Sequence, residues 1–460
     1  MMLVSDFNSQ NFPFPFYAAL IMHRGKIISE EYFEPFTSDS LHRMFSITKS
    51  YTALAVCALA AEGKISLHDP IIKWFADMTP EHPHPYLSAM TVQDMLDMRT
   101  CHASTTYKIN MNENWVRSFF ITPPDHRSGQ IFKYDTSSSH TLAALVKRIS
   151  GKGVLDYLRT VFPKEVQISE EAHILKNLFG DEIGGSGLTA KPSDLLHTAE
   201  FLLAVYNGTW KEKYGAAFSV SESFCSRWCQ LIRECLLFRS ETLHEGKTLD
   251  ECQGYGSQFW MIRGGFAMYG MGGQYAAVFP EEELIIVTAA DTQAVQGGTQ
   301  YILDEMHRID AQIRAEEGKE PAGPSAPEAF EPSGNRDALN HVLQPLVGSW
   351  TFLENRQGFL SCRITEDALI MEHRSGTYCF PVSAAKAVPA QDPVYHQNLR
   401  VHTAALRDGS LYQHIRILGE NVGSIRIMIR GSDGKITVYL RKTEETLYSE
   451  MNGFLEAVRK

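Results

Sequence analysis

The chain has 460 residues and a formal net charge of −11, with 44% hydrophobic and 21% charged residues. Such a length predicts about two or three domains, and the composition is typical of a globular protein. The acidic balance argues against a nucleic-acid partner or an anionic membrane partner. No apolar run reaches the length of a transmembrane helix, and residues 1–16 lack the basic and apolar regions of a signal peptide. We therefore expect a cytoplasmic protein that does not contact membranes.

The predicted elements of the first 315 residues begin with strands and end with strands. In chain order we expect strands over 17–22 and 27–33, helices over 51–61, 92–98, 138–149, 154–161, 193–203 and 224–238, strands over 258–262, 266–269, 275–279 and 284–290, and a helix over 299–315. This order predicts an α+β domain in which helices flank an antiparallel sheet and the two chain ends of the domain meet in that sheet.

The remaining sequence predicts a linker and a second domain. Residues 316–332 contain four prolines among Gly, Glu and Ala, which favours a linker. Beyond them, short strands separated by turns favour a small all-β barrel or sandwich, and its start at 346–350 faintly resembles a lipocalin-like barrel. The predicted boundaries are 1–315 for the first domain, 316–338 for the linker and 339–460 for the barrel-like domain.

Two groups of side chains suggest a metal site only weakly. Cys225 and Cys229 lie one helical turn apart, but no His or Cys stands near them at ligand spacing. His82 and His84 form a His-Pro-His-Pro tract with only two imidazoles, which favours a rigid loop. We expect reduced, mostly buried thiols among the eight cysteines, and neither a metal nor a cofactor.

An S-x-x-K motif at Ser46 and Lys49 precedes the apolar run 51–61. Two other matches begin at Ser383 and Ser432, but neither opens a long helix. Residues three apart on a helix share a face, so the Lys49 amine can reach the Ser46 hydroxyl. A serine hydroxyl becomes a good nucleophile when a base takes its proton, and burial lowers the pKa of a lysine toward that role. The alternative is an exposed helix-capping serine beside a solvated lysine.

Further segments, taken together with Ser46, strengthen the interpretation of Ser46 as a nucleophile with Lys49 as its base. They are Gly63-Lys64-Ile65-Ser66-Leu67-His68-Asp69-Pro70, Gly129-Gln130-Ile131-Phe132-Lys133-Tyr134, Gly184-Gly185-Ser186-Gly187-Leu188, and Tyr269-Gly270-Met271-Gly272-Gly273-Gln274 followed by Phe279-Pro280 and the strand 284–287. In this order they resemble the serine β-lactamase and penicillin-binding-protein superfamily over about 17–314. The nearest likeness is to the class C β-lactamase, family VIII esterase and 6-aminohexanoate-dimer hydrolase branch.

The resemblance implies a role for each matching residue. Ser46 would be the acylated nucleophile, Lys49 its base, and Tyr134 a hydrogen-bonded proton shuttle to the leaving group. The neighbouring lysine cation would favour phenolate character in Tyr134. The backbone N–H groups of Ser46 and Met271 would form the oxyanion hole, and Gly270 would allow a close backbone approach. Without the family, Tyr134 would be interpreted as a core aromatic, and the glycines would fit a plain hairpin turn and a functional turn equally well.

Four positions on the substrate side complete or depart from the family pattern. Thr136 stands where Y-x-N has asparagine, and Met268, Tyr269 and Gly270 stand in place of K-T-G or H-T-G. Thr136, Tyr269 and Gly270 are the predicted substrate-binding residues. Methionine lacks the charge that commonly faces a β-lactam or D-alanyl carboxylate, so the resemblance implies poor activity on such substrates.

Flanking histidines and an arginine give weaker predictions. His140 could line the pocket, but we expect it to face solvent at the start of its helix, and His42 and Arg43 fit either the pocket or the surface equally well. The predicted function is a serine hydrolase that cleaves a small ester, amide or peptide through an acyl-enzyme. The alternatives are a β-lactamase or D-amino-acid or DD-peptidase, and a non-catalytic penicillin-binding-like ligand binder. The sequence gives no indication of an oligomeric state.

Overall fold

The computed structural model describes residues 12–166, 168–319, 335–383, 387–419 and 422–460. Its first region contains β1 (Phe16–His23), β2 (Lys26–Tyr32), β3 (His42–Phe45), α1 (Ile47–Ala61), α2 (Pro85–Ala89), α3 (Val92–Leu96), α4 (Trp115–Ile121), α5 (Thr136–Ser150), α6 (Val154–Val161), β4 (His173–Ile174), β5 (Leu188–Ala190), α7 (Pro192–Asn207), α8 (Trp210–Tyr214), α9 (Glu222–Leu237), β6 (Trp260–Ile262), β7 (Gly265–Gly270), β8 (Gln274–Phe279), β9 (Leu284–Ala290) and α10 (Gly298–Glu316). Short 3-10 turns lie at Ile71–Trp74, Thr106–Lys108, Gly215–Ala217 and Glu251–Gln253.

A six-stranded antiparallel sheet is the centre of this region, with the order β2-β1-β9-β8-β7-β6. β1 pairs with β9, so the first and last parts of the region meet in one sheet, as predicted. β8 and β9 are buried along their whole length because helices cover both faces of the sheet. The α+β fold class is therefore confirmed.

Helix α1 is almost entirely buried, which explains why its sequence carries small and apolar residues on every side. The helix ends at Ala61, and Gly63 adopts a φ of 72° just after it. α1 lies between α5, α9 and strand β7 of the sheet. Its amino-terminal end thus opens at the boundary between the sheet and the helices.

The strand β3 was not predicted from the sequence. It precedes α1 and joins β5 and β4 in a small three-stranded sheet. The glycine-rich turn 184–188 ends in β5, directly beside β3. This second sheet brings that turn next to the start of α1.

The carboxy-terminal region is a nearly closed ten-stranded antiparallel barrel, which confirms the predicted all-β fold. It contains α11 (Arg336–Leu343), β10 (Gly348–Phe352), β11 (Phe359–Ile364), β12 (Ala368–His373), β13 (Gly376–Pro381), β14 (Val388–Gln391), β15 (Asn398–Ala405), β16 (Leu411–Leu418), β17 (Gly423–Ser432), β18 (Lys435–Lys442) and β19 (Gly453–Arg459). The strand order is β13-β12-β11-β10-β19-β18-β17-β16-β15-β14. Side chains alternate along β16, so Leu411 and Ile415 fill the interior while Tyr412 faces outward.

The predicted domain boundaries stay a prediction. Most of the predicted linker, residues 320–334, lies outside the described residues, as does part of the S-x-x-K match at Ser383. Helix α11 already begins at Arg336 and packs Leu339 and Leu343 into the barrel core.

The outer face of the barrel packs against the first region through one apolar group, which we name the interface cluster. Its members are Ile131, Leu243, Cys252, Leu406, Tyr412, Met428, Tyr439 and Phe454. Phe454 also stacks on His126, with ring centroids 3.5 Å apart. The barrel therefore rests on the segment that leads to Tyr134.

Two further findings concern membranes and thiols. Among the described residues, no helix has both the length and the apolar character needed to cross a bilayer.

All eight cysteines are free thiols, and only Cys379 is exposed. Cys225 and Cys229 are buried, and the described residues contain no group of three or more His, Cys, Asp or Glu side chains placed to hold a metal ion.

Candidate active site

Ser46 lies in a tight turn between β3 and α1, where it is the amino-terminal capping residue of the helix. The preceding residue, Phe45, has a φ of 45°, which is strained for a residue with a side chain. Thr48 holds this turn, because its Oγ1 donates to the Phe45 carbonyl at 2.5 Å and accepts from Leu188 N at 2.9 Å. The Ser46 hydroxyl is therefore presented by a rigid strand-to-helix turn.

The Lys49 amine lies 2.9 Å from Ser46 Oγ, as the spacing on one helix face predicts. The side chain is only 1% exposed. Burial lowers the pKa of Lys49 to about 7, against a smaller opposing effect of the Asp135 carboxylate. A large fraction of the amine is thus neutral near pH 7, so it can take a proton from the serine.

The glycine-rich turn orients this lysine. Lys49 Nζ lies 2.6 Å from the Gly185 carbonyl oxygen, and the Gly184 carbonyl accepts from Thr52 Oγ1 at 2.9 Å. A Cβ on Gly184 would stand 2.0 Å from the Ala143 Cβ in α5. Glycine is required there because the turn packs directly against α5, and that packing places the Gly185 carbonyl beside the amine.

Tyr134 completes the group around Ser46. It lies beside Ser46, and the Lys49 amine lies 4.8 Å from the centre of its ring. Trp260 stacks on the same ring at a centroid distance of 5.7 Å. Burial raises the pKa of Tyr134, and the neighbouring Ser46 hydroxyl offsets this only in part. Burial thus opposes the phenolate character expected beside Lys49, which stays a prediction.

Asp135 is a buried carboxyl beside this group that the sequence analysis did not single out. It caps α5 by accepting from Ser137 N at 2.8 Å. Burial raises its pKa to about 6, and the Lys49 charge opposes that shift. Near pH 7 the carboxyl is ionised and favours the charged form of Lys49.

The turn after β7 brings Gly270 and Met271 to the same place. A Cβ on Gly270 would stand 2.1 Å from the Met44 carbonyl oxygen, so this backbone passes against the residue that leads into Phe45. The Met271 side chain is 49% exposed, and its backbone follows this contact directly. The predicted pair of backbone donors, Ser46 and Met271, thus belongs to two adjacent turns.

The predicted substrate-side residues differ in their surroundings. Thr136 N donates to Thr105 Oγ1 at 3.1 Å, and its half-buried side chain lies against the Gly185 turn. Tyr269 stacks on Tyr275 with ring centroids 4.6 Å apart and is half-buried against the core, so it packs within the protein.

Met268 packs into the main core, so β7 supplies no charge at this position. This agrees with the departure from the K-T-G pattern.

The prediction that His140 faces solvent is wrong. The imidazole is 1% exposed and lies edge-on to Tyr107 and Trp115. Its position near the start of α5 suggested exposure, but the Thr106–Lys108 turn and α4 cover that part of the helix. Burial lowers the pKa of His140 to about 4, so the side chain is neutral near pH 7.

The residues before Ser46 have different environments. His42 is buried and stacks on Tyr17, whereas Arg43 is exposed and donates to the Ser186 carbonyl at 3.1 Å. In the His-Pro-His-Pro loop, His84 Nδ1 accepts from Tyr86 N at 3.2 Å and caps α2. That loop therefore has a structural role.

Comparisons with known proteins agree with this architecture. A family model described as β-lactamase matches residues 14–164. The 6-aminohexanoate-dimer hydrolase of Paenarthrobacter ureafaciens is 22% identical over 205 residues, which are 40% of this chain and 51% of that enzyme. The chain thus spans about half the length of this curated relative.

Solved structures share the fold at low identity. A Bacillus anthracis protein assigned as a 6-aminohexanoate-dimer hydrolase is 18% identical, with a TM-score of 0.50 over 66% of this chain and 80% of that one. SurE, solved with D-Leu, is 13% identical, with a TM-score of 0.50 over 97% of this chain and 95% of that one. Over residues 14–164 the chain is thus similar to the β-lactamase family, and its fold is similar to that of these β-lactamase-like and penicillin-binding-protein-like structures.

Proposed function

We propose that the protein is a serine hydrolase that cleaves an ester or amide through an acyl-enzyme on Ser46. The observation that carries the proposal is the buried Lys49 amine, which lies 2.9 Å from Ser46 Oγ and whose pKa is lowered by burial to about 7. An amine of this kind is a suitable general base, because its pKa matches the pH at which it must accept a proton. The named functions of the hydrolase relatives support the same reaction class.

The proposed reaction has two halves. Lys49 takes the Ser46 proton as Oγ attacks the carbonyl carbon, and the backbone N–H groups of Ser46 and Met271 stabilise the oxyanion. As the tetrahedral intermediate collapses, the protonated Tyr134 hydroxyl gives its proton to the leaving group, and Lys49 returns to Tyr134 the proton that it took from Ser46. Water then attacks the ester on Ser46, and the same groups act in the reverse order.

The substrate side favours some acyl compounds over others. Met268 is buried in the core and leaves no cation on β7 for a β-lactam or D-alanyl carboxylate. The relatives are named for a linear amide and for a complex with D-Leu. We therefore rank small linear esters and amides, including D-aminoacyl compounds, above β-lactams.

The experiment compares p-nitrophenyl butyrate, the p-nitroanilides of D-Leu and L-Leu, and nitrocefin. Initial burst, steady turnover and intact mass are recorded for the wild type, Ser46→Ala and Lys49→Met, with the exposed Lys152→Met as the matched control. We expect an acyl adduct on Ser46 and turnover that both site variants lose and Lys152→Met keeps.

Two other outcomes would point to the alternative functions. Efficient nitrocefin turnover that requires Ser46 would indicate a β-lactamase. An adduct without turnover, or neither adduct nor turnover above the Ser46→Ala background with any of the compounds, would overturn the hydrolase and favour a ligand-binding protein.

A further inference from the structure

The segment Gly129–Tyr134 has no regular secondary structure, although it ends in the candidate proton shuttle. On its inner side, Gly129 N donates to the Arg99 carbonyl and Lys133 N to the Met98 carbonyl, each at 2.8 Å. No strand ladder fixes the remaining side of the segment. Other contacts must therefore determine where the Tyr134 hydroxyl lies.

Those contacts come from the barrel and from the loop that it covers. Lys133 Nζ donates to Glu245 Oε1 and to Tyr439 OH, each at 2.7 Å, and the Tyr439 hydroxyl donates to the same carboxylate. Arg441 Nη1 lies 3.4 Å from the other Glu245 oxygen. The amine, the phenol and the carboxylate form a closed triangle, which we name the Lys133 triad: Lys133, Glu245 and Tyr439.

The two residues before Lys133 are held from the same side. The Phe132 carbonyl oxygen lies 2.7 Å from His244 Nε2. Burial lowers the pKa of His244 to about 4, so the neutral ring donates this bond through an Nε2–H. Ile131 packs into the interface cluster beside Leu243 and Tyr439. Three consecutive residues before Tyr134 thus contact the barrel or the loop beneath it.

The loop that carries Glu245 depends on the barrel in turn. Arg426 Nη1 in β17 donates to the Leu243 carbonyl at 2.8 Å and to the Gly246 carbonyl at 2.9 Å. Arg441 in β18 donates to the Glu245 carbonyl. Two barrel strands therefore fix the backbone on both sides of Glu245.

We propose that the barrel is part of the active-site scaffold, and that Glu245 and Tyr439 position Tyr134 by holding Lys133. The inference rests on the proposed role of Tyr134 as the proton shuttle. Catalytic groups must be held close to their productive geometry, and a misplacement of about 1 Å can lower a rate about 100-fold. None of the three triad residues touches the reacting atoms, so they are positioning residues.

The test uses two triad variants and a matched control in the same interface. Tyr439→Phe removes one hydroxyl and keeps the ring, and Lys133→Met removes the amine. The control is Glu456→Gln in the barrel. It weakens the ion pair between Glu456 and Arg127, whose Oε2 and Nε lie 2.8 Å apart, and Arg127 is further from Tyr134 along the chain than Lys133 is. Acylation rate, KM and thermal stability are measured with p-nitrophenyl butyrate.

We expect both triad variants to lower the acylation rate about tenfold while KM stays within about twofold. Glu456→Gln should change thermal stability by a similar amount and leave the acylation rate almost unchanged. An equal loss of rate in the control, or no loss in Tyr439→Phe and Lys133→Met, would overturn the inference, because the interface would then serve stability alone.

A double-variant cycle provides a second criterion. If the triad acts through Tyr134, then Tyr439→Phe should lower the acylation rate only slightly in a protein that already carries Tyr134→Phe. The losses of acylation rate from the two substitutions are then not additive. Additive losses would contradict positioning through Tyr134. Absence of any Ser46 adduct in the wild type would instead refute the proposed function, and the positioning role would fall with it.

Discussion

The backbone of Gly270 runs so close to Met44 that a Cβ at Gly270 would stand 2.1 Å from the Met44 carbonyl oxygen. Met44 is the last buried residue of β3 before Phe45 and the candidate nucleophile. This contact connects strand β7 of the main sheet to the turn that carries Ser46. It sets the separation between the two backbone segments that would form the oxyanion hole.

Gly270→Ala should therefore damage both stability and acylation. The methyl group forces the two backbone segments apart, and overpacking of this kind costs about 1–3 kcal/mol. Because the separation widens the oxyanion hole, we expect an acylation rate at least about 100-fold lower. Gly215→Ala is the control, since a Cβ there would meet only Lys211 Cγ at an ordinary 3.6 Å. Stopped-flow acylation with p-nitrophenyl butyrate would disprove the expectation if Gly270→Ala retained the wild-type rate.

The pH dependence of kcat/KM should report Lys49. Burial lowers its pKa to about 7, so the neutral, proton-accepting form is lost as the pH falls through that value. We expect a rise with an apparent pKa near 7 and a plateau above it. A profile that rises only near the ordinary lysine pKa of 10.5 would show that Lys49 is not the base.

Two neighbouring charges should move this rise in opposite directions. The Asp135 carboxylate raises the pKa of Lys49 and the Lys108 amine lowers it. Asp135→Asn keeps a side chain that can cap α5 and should shift the rise to lower pH, whereas Lys108→Met should shift it to higher pH.

A high salt concentration distinguishes the effect of Lys108 on the pKa of Lys49 from that of Asp135. Lys108 is exposed and Asp135 is buried. Screening is strong at about 1 M salt, where the Debye length is about 3 Å. The Lys108→Met shift should therefore fade in high salt and the Asp135→Asn shift persist. Equal fading of both would contradict the buried position of Asp135 beside the amine.

Tyr134→Phe should lower kcat about 100-fold to 10,000-fold and leave KM almost unchanged, because general acid–base catalysis contributes about that much. Since burial raises the pKa of Tyr134, the wild type should show no loss of activity between pH 7 and 9 from ionisation of this phenol. Tyr157→Phe in α6 is the control. If steady-state kinetics gave Tyr134→Phe the same kcat as the wild type, the proposed role of Tyr134 as proton shuttle would be wrong.

Gln258 should be important for stability. This buried side chain donates to the Leu96 carbonyl at 2.7 Å and accepts from Ser139 Oγ at 2.5 Å, so it joins α3 to α5. Gln258→Leu leaves both partners unsatisfied in the core and should lower the free energy of unfolding by about 3 kcal/mol. The exposed Gln230→Leu in α9 should change it by less than about 0.5 kcal/mol. Urea titrations of both variants provide the comparison.

Local patterns predicted much of the architecture. The uniformly apolar run after Ser46 predicted a buried helix, and the spacing of Ser46 and Lys49 predicted their contact, because both depend only on helix geometry. The meeting of β1 with β9 followed from strands at both ends of a helical block. The roles of the site residues remain predictions.

Other features depend on distant contacts that leave no local pattern. The Gly185 carbonyl that orients Lys49 belongs to the backbone, so no side chain in the sequence predicts this contact. Glu245 and Tyr439 reach Lys133 from far along the chain. His140 was predicted wrongly for the same reason, since its cover comes from Tyr107 and Trp115 rather than from its own helix.

The pairing of β10 with β19 has a consequence for the order of biosynthesis. β19 closes this side of the barrel, and it supplies Phe454 to the interface cluster and Glu456 to Arg127. The ribosome releases the Ser46 helix early, but β19 emerges after every other described strand. A nascent chain stalled before β19 would display a folded nucleophile turn without its full support. If the barrel positions Tyr134 as proposed, hydrolysis through Ser46 would appear late in translation, and a truncation within β19 would impair it from a distance.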